Sequence, residues 1–156
     1  MAAEDPAADP RANYDYGDGV VDRPALVEDL DRLIEGEVRF DRYSRQLYAT
    51  DASAYEQTPI GVVFPRTTDD VAAVMAYCHQ RSIPVLPRGG GTSLAGQAVN
   101  EAVVLDFSRE MDAVLEIDPE ARSATAEVGV VLGDLNAELE PYGLKFAPDP
   151  AWADKS

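Results

Sequence analysis

Apolar residues along this chain fall into bursts of two kinds. One kind recurs at helical spacing. Leu26, Leu30, Leu33 and Ile34 sit at i, i+4, i+7 and i+8, and Val71, Val74, Met75 and Cys78 at i, i+3, i+4 and i+7. Each set predicts a helix with one apolar face. A third set, Leu132, Leu135 and Leu139, predicts a shorter helix over 131–140 with those leucines inward. The other kind is a short apolar run closed by turn formers: 60–64 before Pro65, 84–87 before three glycines, and 102–107. These read as strands. Residues 122–128 alternate polar and apolar and follow a Pro119-Glu120 turn signal, so they pair with the preceding apolar segment as a hairpin.

Boundary residues sharpen these elements. Asp22 precedes Pro24, which suits a helix's first turn, and Gly36 is placed to stop that helix. Thr67 or Thr68 can cap the second helix, with Asp69 and Asp70 in its first turn, and Pro84 ends it near Arg81-Ser82. Gly143 suits the stop of the third. Residues 38–55 read only as a loop with some strand or short helix. Residues 1–21 are rich in Ala, Asp, Pro and Gly without a period, and read as a mobile acidic tail that Tyr14 and Tyr16 dock loosely. Residues 22–156 then form one unit. Strand, helix, strand over 60–87 is a βαβ unit with a parallel, right-handed crossover. The hairpin that follows makes the class α+β: a small parallel βαβ lobe, then a mixed or antiparallel lobe.

Charge narrows the partners. The net charge is −16, with 29 acidic residues against 13 basic ones, and the only lysines are Lys145 and Lys155. Such a surface repels nucleic acid and anionic membranes. It suits a halophilic protein, whose self-repulsion is screened by salt; an ordinary acidic cytosolic protein is the other reading. Cys78 is the single cysteine, so no internal disulfide and no cysteine-held metal is expected, and a small core residue is the natural role for it. His79, the one histidine, reads as a solvated helix residue. No apolar run reaches 18 residues and the start lacks a signal peptide's pattern. A cytoplasmic protein is expected, peripheral to a membrane only through a partner.

The chemistry concentrates in residues 87–97, Pro-Arg-Gly-Gly-Gly-Thr-Ser-Leu-Ala-Gly-Gln. Consecutive glycines weaken regular structure, but they let backbone amides turn toward an anion with no Cβ in the way. Two nucleotide loops fail on spacing. The P-loop needs Lys and a hydroxyl residue where Gln97 and Ala98 stand, and the dinucleotide fingerprint needs glycine where Leu94 stands. The loop also runs into a strand, not a helix. A phosphate or pyrophosphate cradle between two strands remains.

These residues resemble the pyrophosphate loop of the PCMH-type FAD-binding domain, the fold of vanillyl-alcohol oxidase and p-cresol methylhydroxylase. The likeness is nearest to the FAD-linked D-lactate dehydrogenase and glycolate oxidase subunit GlcD group. Residues 50–55, 59–65, 67–71 and 146–150 fit the same pattern in the same order. The resemblance implies FAD held by Arg88, Gly89, Gly90, Gly91, Thr92, Ser93, Gly96, Gln97, Pro148 and Asp149. Gln97 is read either as a cofactor contact or as a brace for the loop, and Asp51 and Ser53 either as turn caps or as cofactor contacts. Some relatives attach FAD through a histidine where Thr92 stands, so non-covalent binding is implied. The resemblance further implies oxidation of a 2-hydroxy acid such as lactate or glycolate. Electrons would pass to a quinone, cytochrome or iron–sulfur partner. The chain reads as the N-terminal piece of a longer, incomplete fold, inactive alone, so its catalytic residues stay unassigned and no metal is expected. A flavin-binding module without turnover, an interaction protein whose acidic surface binds a basic partner, and the same-fold enolpyruvyl-UDP-N-acetylglucosamine reductase are the alternatives.

Overall fold

The computed structural model describes residues 22–148, 150 and 155. The tail expected over 1–21 lies outside them. Helix α1 (Arg23–Leu33) is capped by Asp22, whose side chain accepts from the Ala25 amide, with proline in the first turn. Strand β1 (Glu37–Arg39) and helix α2 (Arg42–Leu47) follow, the latter capped by Asp41. Strand β2 (Gly61–Phe64), helix α3 (Thr68–Gln80) and strand β3 (Val85–Arg88) make the expected βαβ unit. Strand β4 (Val103–Asp106), the hairpin β5 (Val114–Asp118) and β6 (Ser123–Ala126), and helix α4 (Leu132–Leu139) complete the order. A 3₁₀ turn over Glu140–Tyr142 ends at Gly143, whose φ of 67° is the left-handed stop the sequence suggested.

Four strands form one sheet in the order β1-β2-β4-β3. Strands β2 and β3 both run parallel to β4, which inserts between them, and β1 pairs antiparallel with β2. Alternation along the central strands divides the core. Val63, Val103 and Leu105 face Leu26, Leu30, Val74 and Cys78 of α1 and α3. Val62, Phe64 and Val104 form a smaller cluster with Tyr48 and Leu86. The β5–β6 hairpin is a separate two-stranded ladder.

Several expectations change at the packing level. Gly36 does not stop α1, which ends at Leu33 with Ile34 already extended at φ −126°. A Cβ on Gly36 would stand 2.2 Å from the Phe64 carbonyl oxygen, so glycine lets the chain pass close to β2. Leu33 and Met75, assigned to apolar faces, are about half exposed, Leu33 at the wall of a groove between α1 and α3. Cys78 is fully buried, and burial pushes its thiol up to about 11. His79 is exposed.

Candidate functional site

Residues 89–102 leave the C-terminal end of β3 and return to the start of β4. Neighbouring parallel strands need such a long connection, and here a glycine loop takes the place of the usual helix. The loop therefore lies at the edge of the sheet where α/β folds bind ligands. Residues Cys78 and His79 sit at the end of α3 that feeds the start of β3, hence toward the opposite edge.

The three glycines are not equivalent. A Cβ on Gly90 would meet the Lys155 carbonyl oxygen at 2.1 Å. On Gly91, whose φ is +66°, it would meet the Arg88 Nη2 atom at 2.5 Å. A backbone contact thus requires glycine at 90, and the left-handed φ requires it at 91. Gly89 differs: nothing lies within 4 Å of its Cβ position, its φ is not positive, and the residue is exposed. The chain's own packing gives no reason for glycine at 89, whereas a ligand lying against the backbone would. Among the described residues, no protein acceptor takes the amides of Gly89, Gly90, Gly91 or Ser93. Amides without an acceptor among the described residues, at exposed Gly89 and Gly90 and half-buried Gly91 and Ser93, fit the diphosphate of a nucleotide cofactor.

The side chains mostly frame this backbone. Ser93 Oγ accepts from the Gln97 amide at 3.0 Å and the Ala95 amide at 3.3 Å, and donates to Gln97 Oε1. Gln97 therefore braces the loop. Gly96, at φ +78°, lies beneath the Tyr55 ring, whose Cδ2 would be 2.7 Å from an added Cβ. Thr92 is half-buried. Arg88 donates through Nη1 to the Ala98 carbonyl at 2.8 Å and the Tyr48 carbonyl at 3.4 Å, and through Nη2 to the Thr50 carbonyl at 2.9 Å. Pro148 is exposed near the end of the described chain; Asp149 lies outside the described residues.

Sequence reasoning left Asp51 undecided and missed Tyr48 and Asp106. Asp51 Oδ1 accepts from the Ser53 amide at 2.8 Å, a local turn cap. Its Oδ2 accepts from the Ala98 amide at 3.2 Å, so one carboxylate joins two loops. Burial works to raise the Asp51 pKa, but the Ser53 and Ala98 hydrogen bonds and the Arg88 charge outweigh it and hold the carboxyl below its usual range. Beneath the loop, the Tyr48 hydroxyl donates to Asp106 Oδ2, while Asp106 Oδ1 accepts from the Ser108 amide at 2.8 Å. Burial, and then the Asp106 contact, raise the tyrosine's pKa. A spacing rule cannot find this pair, since the two residues meet only through the sheet.

The comparisons with known proteins agree with that geometry. The model of a family described as an FAD binding domain matches residues 59–156, which hold β2 through α4 and the whole glycine loop. The chain is 35% identical over its full length to a D-2-hydroxyglutarate dehydrogenase of Pseudomonas putida, of which it spans 15%. It is 34% identical over 76% of its length to glycolate oxidase subunit GlcD of Bacillus subtilis, spanning 26% of that protein. It is 30% identical over 87% of its length to a mitochondrial D-lactate dehydrogenase [cytochrome] of Saccharomyces cerevisiae, spanning 25% of it. The chain thus covers a quarter or less of most such relatives. Among solved structures, substrate-bound p-cresol methylhydroxylase superposes with a TM-score of 0.65 at 23% identity, over 78% of this chain and 25% of that one. The shared fold is the PCMH type. With its glycine loop, its strand order and more than half of its length matched together, this chain belongs to the FAD binding domain family.

Proposed function

We propose that residues 88–98 grip the diphosphate bridge of FAD, held non-covalently, within a flavin-dependent enzyme that oxidises a 2-hydroxy acid. The observation that carries this reading is Gly89: an open Cβ position, next to amides that no acceptor among the described residues takes, suits a ligand lying against the backbone. The amides of Gly89, Gly90, Gly91 and Ser93 donate to phosphate oxygens, and charge-assisted bonds of this kind are about twice as strong as neutral ones. Thr92 replaces an attachment histidine, so the cofactor is bound and not bonded. Pro148 and Asp149 complete the cofactor's surroundings. When bound, the flavin supplies the hydride acceptor, and the protein's part is to hold and orient it. Residues 22–156 act as one cofactor-holding unit. The substrate class follows the names of the relatives, which also favour a hydroxy acid over the reductase alternative. Electrons leave through a cytochrome, quinone or iron–sulfur partner, and the acidic, lysine-poor surface suits work in high salt.

A second reading, a binding module without turnover, is favoured by one feature. Cys78 is buried with a raised pKa and His79 stands toward the far edge of the sheet, so neither serves the loop as nucleophile or base. Titration of the chain with FAD and with riboflavin, read by flavin fluorescence, tests the cradle. FAD binds with a micromolar or weaker dissociation constant and riboflavin much more weakly. Equal affinity for the two would remove the diphosphate from the reading. Anaerobic bleaching of the bound flavin by D-2-hydroxyglutarate, D-lactate or glycolate marks the enzyme; a yellow protein that none of them bleaches marks the module.

A further inference from the structure

We propose that Arg88 is the clasp of the glycine loop, a positioning residue that closes residues 88–98 before any ligand arrives, and not a phosphate contact. For its ligand the proposal rests on the flavin reading above. Arg88 stands at the end of β3, where the loop begins, and its Nη1 reaches forward to the Ala98 carbonyl at 2.8 Å, where the loop ends. Nη2 donates to the Thr50 carbonyl at 2.9 Å, Nη1 also to the Tyr48 carbonyl at 3.4 Å, and the guanidinium carbon lies 5.1 Å from the Tyr48 ring centroid. Ala98 is held from its other side by Asp51 Oδ2, at 3.2 Å from its amide. The Ala52 amide donates to the Gly91 carbonyl at 3.0 Å. The loop is therefore fastened at its entry, its crown and its exit to one short segment, residues 48–52.

These fastenings decide where the loop's donors aim. A trans peptide is planar, with its carbonyl and N–H on opposite sides. The Arg88 carbonyl accepts from the Phe107 amide at 3.0 Å, so the Gly89 N–H points away from β4. The Gly91 carbonyl points to Ala52, so the Thr92 N–H points away from the 48–52 segment. The guanidinium's contribution is geometric. Its rigid fork spans two carbonyls on separate segments, which the single nitrogen of a lysine does not reproduce. A loop already closed pays less ordering entropy on binding.

The test replaces Arg88 in the full chain by Lys and by Met. As a clasp, Arg88→Lys fails nearly as badly as Arg88→Met: each raises the FAD dissociation constant by about tenfold to a hundredfold. The salt dependence of binding stays that of the unmodified chain. In the ligand-free chain, amides 89–98 exchange hydrogen faster in both variants while β2 and β4 keep their protection. Full affinity in Arg88→Lys would overturn the proposal and return the residue to a charge role, and so would unchanged loop exchange in both variants. Should either variant fail to fold, Asp51→Asn releases the same exit residue by a smaller change; it speeds exchange around Ala98, and unchanged exchange there also overturns the clasp. If the unmodified chain binds no FAD, the flavin reading fails, while the exchange comparison still decides the clasp.

Discussion

Replacing Gly89 by alanine separates folding from ligand approach better than any other change in the loop. In the ligand-free chain the added methyl meets nothing within 4 Å and the residue does not need a positive φ. Folding should therefore cost nothing, and the loss of glycine's freedom in the unfolded chain stabilises the fold by about 0.4–1 kcal/mol. For a domain of this size that is a rise in Tm of about 1–4 °C. Binding moves the other way. A methyl that pushes the diphosphate away by roughly 1 Å stretches at least one charge-assisted bond beyond useful length, a loss of about 1.5–3 kcal/mol, or ten- to a hundredfold in affinity. Gly91→Ala is the contrast. It combines a left-handed φ, which costs an alanine about 1–2 kcal/mol, with a clash against Arg88 Nη2, so stability and affinity fall together. Melting curves beside FAD titrations of both variants give the comparison. Wild-type FAD affinity in a folded Gly89→Ala chain would refute the reasoning.

Three other outcomes follow from the packing. Asp70 is buried, and its oxygens accept from the Glu35 and Arg66 amides, each at 2.9 Å. Burial raises its pKa, but those amides outweigh it and hold the carboxyl below the usual range. The unfolded chain therefore binds the proton more readily, so this stabilisation is present above about pH 4 and is lost as pH falls through the depressed value. Asp70→Asn should cost about 1–3 kcal/mol at pH 7 in urea denaturation, a difference that shrinks in acid; a pH-independent difference would contradict it. Cys78, with its thiol at about 11 and no exposed surface, should react with a thiol reagent at pH 8 only on unfolding, and prompt labelling of the native chain would contradict that. A Cβ on Gly129 would stand 2.0 Å from the Phe107 carbonyl oxygen and 2.7 Å from that of Met111, backbone atoms that cannot swing aside. Gly129→Ala should lower the urea midpoint clearly, and an unchanged midpoint would be inconsistent with that contact.

The elements were legible wherever a local rule decides them. Asp22 and Thr67 cap helices because their oxygens meet amides three residues on, and Gly143 stops one because its φ is left-handed. The glycine run stood out because three successive glycines weaken helix or strand, yet the structure gives internal reasons for Gly90 and Gly91 and leaves only Gly89 without one. Partnerships between distant segments were hidden. Asp70 looked like a favourable charge in a first turn, yet it bonds to an amide 35 residues away. Arg45 lies in a stretch that read only as a loop with some strand or short helix, yet it is buried with its Nε donating to the Pro59 carbonyl at 2.7 Å. Periodicity placed Leu33 and Met75 on apolar faces without saying how wide a neighbour would cover them. The insertion of β4 between β2 and β3 is likewise absent from any single strand's pattern. The loop's residues were readable; the frame around it, Asp51 through Ala98 to Arg88, was not.

Amide chemical shifts of the isotopically labelled chain, recorded while FAD is added, test the cradle itself. The largest changes should fall on the amides of Gly89, Gly90, Gly91 and Ser93, and ADP, which carries a diphosphate but no flavin, should move the same four. Shifts centred on the α1–α3 groove instead, or a glycine loop left silent by both ligands, would contradict the diphosphate site.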